Sequence, residues 1–147
     1  MDKKLIEAMT VFLANNFSLY YLTSAFHWNV EGEDFYELHL LFEKIYGDVY
    51  DQVDIIAEKI RQLRAYPPTC PIKLLELSSI GLDTRPACSH DMVKILEKAN
   101  VDIQTIIMNA FNAAQACNDQ GNMNYLAGRL EMHKKWAWML RATGKCE

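Results

Sequence analysis

Residues 38–63 read LHLLFEKIYGDVYDQVDIIAEKIRQL, and this stretch decides the fold. Its apolar residues recur at steps of three and four over the whole length. They are Leu38, Phe42, Ile45, Val49, Val53, Ile56, Ile60 and Leu63. Such spacing is typical of a long amphipathic helix that buries one face. The stretch therefore predicts a helix that ends before Pro67-Pro68, with Asp34 as a plausible N-cap.

Three further segments show the same helical period. The first runs from Leu5 to about Trp28, and the third begins near Ser89 or Asp91. The fourth follows a turn at 118–121 and carries apolar residues on one face. That face comprises Met123, Leu126, Leu130, His133, Ala137 and Leu140, with Gly144 just past the helix end. The chain thus predicts four long helices and no strand.

The lengths of the connections predict the topology. The first and second helices are joined by a short loop, as are the third and fourth, so each pair should be antiparallel. Roughly 25 residues separate the second helix from the third, which is enough to return along the bundle. This segment contains a possible short helix over 72–79. We predict an all-α, ferritin-like four-helix bundle, with one long crossover carrying a short extra helix, as a single domain over 1–147. The alternative is a simple up-down bundle in which the loop between the second and third helices carries extra structure.

Composition narrows the class of protein. The chain has 147 residues and a net charge of −4, so charge alone does not indicate a general nucleic-acid binder. No apolar run approaches the ~20 residues needed to cross a bilayer, and the N-terminal stretch is not a signal peptide. The four cysteines are far apart in sequence, which favours reduced thiols over a disulfide framework or a zinc site. We expect a cytoplasmic protein without membrane partners.

The second helix also carries candidate metal ligands on one flank of its apolar face. With His39 placed at zero on a helical wheel, Glu43 lies at ~40°, Asp54 at ~60° and Glu58 at ~100°. His27, on the apolar side of the first helix, lies near the other end of the short loop. Imidazole with several carboxylates suits iron or another first-row divalent metal. The alternative is that the carboxylates are solvated and the histidines packed.

The spacing of these residues indicates a site shared between two chains. His39 and Asp54 are 15 residues apart, or ~22 Å along a helix, so they cannot bind one ion within a chain. Positions 39 and 58 share their midpoint, 48.5, with positions 43 and 54. A two-fold axis there would bring His39 towards Glu58 of the partner subunit and create two sites per dimer. The chain also lacks any Glu-x-x-His motif, which disfavours a di-iron centre within one subunit.

Several motifs resemble one known family. They are HWNVEG at 27–32, Phe35, His39, DIIAEKI at 54–60 and HKKWAWML at 133–140. Together they resemble the Dps family, the small dodecameric ferritins named as DNA-binding proteins from starved cells. The likeness covers most of the chain.

The resemblance implies a ferroxidase that stores iron. Its ligands would be His27 and His39 of one subunit with Asp54 and Glu58 of the partner subunit. Glu43 matches a further acidic position, and Trp28 matches an aromatic residue beside the metals that scavenges radicals. The family oxidises Fe(II), often with hydrogen peroxide as the oxidant in place of oxygen, and stores ferric mineral in a 12-subunit shell. This chemistry protects against oxidative damage.

Two departures from the family pattern bear on function. Only Asp2, Lys3 and Lys4 precede the first helix, whereas many members carry a Lys-rich tail at this position that binds DNA. DNA is therefore not an expected partner. The alternative function, which the family name suggests, is a nucleoid protein that coats DNA. A third possibility is an inert shell whose metal site has decayed. Asn124 stands where an aspartate commonly lines the iron-entry pore, so iron entry is expected to be weaker or to take another route. We assign His133, Trp136 and Trp138 to packing.

Overall fold

The computed structural model describes residues 2–145 as five helices. They are α1 (Lys3–Asn29), α2 (Phe35–Gln62), α3 (Pro71–Leu77), α4 (Ser89–Ala116) and α5 (Gln120–Thr143). No strand occurs within the described residues. The predicted all-α class, the four long helices and the short helix in the crossover are all confirmed. No helix in this part of the chain is long and apolar enough to cross a lipid bilayer.

The long helices form two antiparallel pairs. His27 of α1 lies against His39 of α2, and Asn16 donates a hydrogen bond to the carbonyl of Val49 at 2.9 Å, so residue numbers rise on one helix as they fall on the other. In the second pair, His133 of α5 bonds to Asn100 of α4 at 2.9 Å. Helix α1 also packs against α4. The long crossover between α2 and α4 is thus the ferritin-like connection.

The apolar faces of these helices meet in one core. Six of the eight apolar residues that predicted the second helix are buried. The other two, Val53 and Leu63, are half-buried against them.

For α4 the helical period predicts an apolar face made of Met92, Ile95, Leu96, Ala99, Ile103, Ile106, Ala110 and Ala113. This prediction is wrong at Ile95, which is 41% exposed, while Val93 and Ile107, outside the predicted face, are buried. Val93 and Ile95 lie ~200° apart on the helix, at opposite edges of its apolar face. The contacts of α4 with α1 and α5 bury the edge that carries Val93.

Besides the packing of α3 on α1, a buried amide of α1 binds the crossover. Asn15 is 0% exposed, and its side-chain oxygen accepts hydrogen bonds from the backbone N–H groups of Ser79 at 3.0 Å and Ile80 at 2.9 Å. The hydroxyls of Ser78 and Ser79 donate to the same oxygen. Buried polar groups need such partners, so Asn15 determines where the crossover returns over the bundle.

The ends of α2 and α5 follow the sequence in part. Asp34 precedes α2 as predicted, but its carboxylate accepts no capping hydrogen bond. Asp119 caps α5 instead, since its side chain accepts from the backbone N–H of Asn122 at 3.0 Å. Gly144 ends α5 as predicted.

Candidate metal centre

Two histidines face each other across the loop between α1 and α2. His27 lies in the last turn of α1, and His39 lies in the second turn of α2. The chain reverses over residues 30–34, where Gly32 has a φ of +111°, a conformation that favours glycine. The imidazole rings stack with their centroids 3.8 Å apart and their planes inclined by 14°. The loop and the helix pairing therefore bring the two predicted ligands together.

Each imidazole is oriented by the main chain of the other residue. The Nδ1 atom of His27 lies 2.7 Å from the carbonyl oxygen of His39, and the Nδ1 atom of His39 lies 2.7 Å from the carbonyl oxygen of His27. A carbonyl oxygen only accepts, so both Nδ1 atoms carry the hydrogen. In the neutral rings both Nε2 atoms then keep a lone pair, so this tautomer allows each Nε2 atom to bind a metal.

Aromatic rings enclose the histidine pair on both sides. Phe35 stacks on His39 at a centroid distance of 5.0 Å, and Tyr46 meets His27 edge-on at 5.1 Å. His27 is 8% exposed. The rings therefore have little freedom to rotate away from the orientation that their hydrogen bonds set.

The predicted carboxylates lie on the exposed flank of α2. Glu43, Asp54 and Glu58 are exposed, and within residues 2–145 none of them forms an ion pair or a side-chain hydrogen bond. Asp54 lines an open groove of about 500 Å³ together with Tyr50. Carboxylates left without a cation on one helix face remain available to bind a metal.

The histidine pair and the carboxylate pair do not meet within one chain. Asp54 and Glu58 follow His39 by 15 and 19 residues on one continuous helix, which separates them by ~22 Å and ~28 Å. No group of three or more His, Cys, Asp or Glu side chains in the described chain could hold a metal ion. Trp28 is 61% exposed beside the histidine pair. One chain thus presents two separate halves of the predicted site.

Comparison with known proteins decides the family. A family model described as the ferritin-like domain matches residues 6–145. The DNA protection during starvation protein 2 of Bacillus anthracis is 30% identical over 142 residues, which cover 97% of each chain. This chain belongs to the Dps family of ferritin-like proteins.

Solved Dps structures share the whole fold. The Dps protein of Vibrio cholerae O1 superposes with a TM-score of 0.93 at 28% identity, covering 98% of this chain and 91% of that one. That protein is described as a member of a broad superfamily of ferritin-like diiron-carboxylate proteins. The Dps protein of Bacillus brevis superposes with a TM-score of 0.94 at 26% identity, covering 98% and 97% of the two chains.

This Dps chain also contains a buried polar network that the sequence did not reveal. Asp48 of α2 accepts two hydrogen bonds from the Arg129 guanidinium, each of 2.8 Å, and one from Trp136 Nε1 at 2.8 Å. Arg129 also donates to His133 Nε2 at 3.2 Å, and His133 Nδ1 donates to Asn100 at 2.9 Å. The network therefore joins α2, α5 and α4.

The network sets the charges of its members. Burial alone raises the pKa of Asp48, but hydrogen bonds from Arg129 and Trp136 and the positive charge of Arg129 outweigh burial and hold that pKa below its ordinary value. Burial, with a smaller contribution from Arg129, lowers the pKa of His133 to about 3. Asp48 and Arg129 consequently form an ion pair in which Arg129 is buried and Asp48 is half-buried. His133 is neutral near pH 7.

A weak signal for this network exists in the sequence. Asp48 lies ~180° from His39 on the helical wheel, on the flank of the apolar face opposite to the candidate ligands. Arg129, His133 and Trp136 recur at steps of four and three on α5. The packing expectation is confirmed for His133 and Trp136, which are buried, and is wrong for Trp138, which is 54% exposed.

Proposed function

We propose that this protein binds Fe(II) at sites shared between two subunits, oxidises it and stores the ferric product inside a closed shell of 12 subunits. Each site would use His27 and His39 of one subunit with Asp54 and Glu58 of the partner subunit. Glu43 would supply a further carboxylate, and each dimer would hold two sites. The oxidised iron is substrate and cargo, and storing it would protect the cell from oxidative damage.

The histidine pair carries this proposal. Side chains packed only for stability have no need for two imidazoles whose Nδ1 atoms are both bonded to main-chain carbonyls. That arrangement leaves both Nε2 atoms as donors to a metal, and imidazole with carboxylate is a donor set that suits iron. Membership of the Dps family supports the same reading.

The position of the unpaired carboxylates supports a shared site. Two α2 helices that cross antiparallel at the midpoint of residues 39 and 58 would place the carboxylate half of each chain against the histidine half of the other. The open flank of α2 fits this contact, because a Cβ added at Gly47 would meet nothing within 4 Å in the same chain. An isologous interface then makes both sites complete at once.

The reaction balances with hydrogen peroxide as the oxidant. Two Fe(II) ions lose one electron each, and one hydrogen peroxide takes both electrons and two protons to give two water molecules. The protein's part is to bind the two ions within reach of one peroxide molecule, so that no single-electron product escapes. Oxygen is the alternative oxidant.

Removing the carboxylate half tests the proposal. In an Asp54→Asn, Glu58→Gln variant, we expect the rate of Fe(II) oxidation by hydrogen peroxide to fall at least about 100-fold, because even supporting residues of a metal site contribute up to about 100-fold. Stopped-flow absorbance of the ferric product measures this rate. Anaerobic calorimetric titration with Fe(II) should show the same loss as weaker binding.

The matched control removes two carboxylates elsewhere. Asp91 in α4 and Glu131 in α5 are both exposed, so Asp91→Asn, Glu131→Gln makes the same change in net charge. This control should oxidise iron at the wild-type rate. Unchanged kinetics in the Asp54, Glu58 variant would exclude the shared ferroxidase site.

A further inference from the structure

The guanidinium of Arg129 lies between two side chains of the kind that bind metals. Its Nη2 atom is 2.8 Å from a carboxylate oxygen of Asp48 and 3.2 Å from the Nε2 atom of His133. Carboxylate oxygen and neutral imidazole nitrogen are donors that suit first-row divalent metals. We name the place of this Nη2 atom the core position. A cation that belongs to the protein itself thus lies where a carboxylate and an imidazole converge.

Both donors are oriented as they would be around a metal. The Nδ1–H of His133 donates to the side-chain oxygen of Asn100 at 2.9 Å, which leaves the lone pair of Nε2 directed at Arg129. The indole N–H of Trp136 donates to the Asp48 carboxylate at 2.8 Å and holds it in place. Histidines and carboxylates that bind metals generally have such a second hydrogen bond. The orienting contacts of a metal site are therefore present around the core position.

The core position lies inside the bundle, half-way along its helices. Asp48 is at the middle of α2, and His133 and Asn100 are 0% exposed. Ferritin-like proteins that hold a metal within one chain bind it through side chains that project into the bundle from facing helices. Along α2, Asp48 is ~9 Å from Asp54 and ~14 Å from His39. A metal at the core position would therefore be bound by one chain and lie apart from both halves of the shared site.

Stability alone does not account for a cation at this place. Arg129 is 5% exposed, and within residues 2–145 its Nε atom has no hydrogen-bond partner. A buried donor without a partner is unfavourable. A buried ion pair is also often no more stabilising than apolar residues of similar volume. The buried guanidinium therefore indicates a role beyond packing.

We propose that Arg129 occupies a metal position inside each chain and keeps divalent metals out of it. A guanidinium has no lone pair to offer a metal, and its permanent charge repels an incoming cation. Fe(II) would then bind only at the sites shared between subunits, a consequence that rests on the proposed function. There two Fe(II) ions meet one hydrogen peroxide molecule. A single Fe(II) in the core would instead react alone with hydrogen peroxide and give one Fe(III), one hydroxide ion and one hydroxyl radical.

The two donors need only a small movement to bind a metal once the guanidinium is gone. Bonds from a metal to imidazole nitrogen or carboxylate oxygen are about 2.0–2.2 Å long, so each donor must approach the core position by about 1 Å. In the described chain no third His, Cys, Asp or Glu side chain completes a group that could hold a metal. Water would fill the remaining coordination positions, in the space that a shorter side chain leaves.

Binding of Co(II) tests the proposal without iron or an oxidant. The shared sites are first removed by His27→Ala, His39→Ala, Asp54→Asn and Glu58→Gln, and this background variant is refolded with Co(II) so that the metal can reach the core. Adding Arg129→Ala should add one bound Co(II) per chain, measured by equilibrium dialysis and by visible d–d absorption. It should also make Tm rise by at least about 5 °C at a Co(II) concentration of about 100 times Kd. No added Co(II) would overturn the proposal.

Two further substitutions separate charge from space. Arg129→Lys keeps a positive charge and should exclude Co(II), whereas Arg129→Gln removes the charge, fills most of the space and should bind Co(II). The amide of the second variant can donate a hydrogen bond to Asp48, so this variant also serves if Arg129→Ala does not fold. Equal Co(II) binding by the two variants would overturn exclusion by charge.

Arg141 provides the matched control. It lies on α5 with its side chain 59% exposed, 3.9 Å from Glu97, so Arg141→Ala makes the same change in net charge outside the core. This substitution should add no bound Co(II). Adding Asp48→Asn to Arg129→Ala removes the carboxylate donor and should abolish the added Co(II); retention of the metal would place it elsewhere and overturn the proposal. Absence of Fe(II) oxidation in the wild type, with these Co(II) results as expected, would count against the ferroxidase function alone.

Discussion

Mixing two inactive variants should restore activity if each site is built from two chains. One variant carries His27→Ala and His39→Ala, and the other carries Asp54→Ala and Glu58→Ala. Each should be inactive alone, because every site then lacks one half of its ligands. In a mixed dimer both defects fall in one site, and the second site contains only intact residues.

Symmetry gives the size of the effect. The ~22 Å between His39 and Asp54 along α2 prevents any chain from completing a site by itself. Random pairing of equal amounts makes about half of the dimers mixed, and each mixed dimer has one intact site of two. About a quarter of the wild-type activity should therefore return.

The assay compares co-refolded and separately refolded protein. Both variants are unfolded in denaturant, combined in equal amounts, refolded and purified as assembled shells, and Fe(II) oxidation is followed per subunit. Each variant refolded alone gives the background, and refolded wild type gives the full scale. If the ligands of one site came from a single chain, every chain in the mixture would remain defective and no activity would return; that result would refute the two-fold argument.

Three further measurements follow from the structure. Asp48→Ala should lower the free energy of unfolding, measured in denaturant, by about 3–5 kcal/mol, because it leaves Arg129 as a buried unpaired charge. As a control, Asp83→Ala removes an exposed ion pair and should change the free energy of unfolding little. Since the folded pKa of Asp48 lies below its unfolded value, its contribution is present above about pH 4 and is lost as pH falls through the folded pKa, so the two unfolding curves should converge in acid. Asn124→Asp should speed iron uptake into assembled shells, because carboxylate rings draw cations into pores, and an unchanged or slower uptake would remove this exposed residue from the entry route. A gel-shift titration should show no DNA complex at physiological salt, because the net charge is −4; a retarded band would favour the nucleoid function.

The fold could be predicted because its signals are local. The α2 stripe repeats over 26 residues and ends at prolines, so its helix and its buried face follow from periodicity alone. A short loop joins the helices of His27 and His39, so the sequence predicts that the two histidines lie close together. Ile95 shows the limit of this reasoning, because periodicity locates an apolar face but only packing decides which of its two edges is buried.

The buried polar residues could not be predicted for a physical reason. Asn15 and Asp48 look like solvent-facing residues, since burial of a polar side chain is unfavourable unless a partner satisfies it. Their partners lie far along the chain; Arg129 follows Asp48 by 81 positions. A helical wheel places Asp48 and Arg129 beside apolar faces, but a single sequence does not say that these two residues pair with each other.

The mutual hydrogen bonds of His27 and His39 make the pair a transferable module. Each ring is held by a carbonyl that every amino acid possesses, so no third side chain is needed to orient it. Any antiparallel helix hairpin with the same offset between helix ends should accept the two histidines in the same orientation. Redesign of the surrounding surface, including the shell contacts, could then proceed without rebuilding the imidazole half of the site.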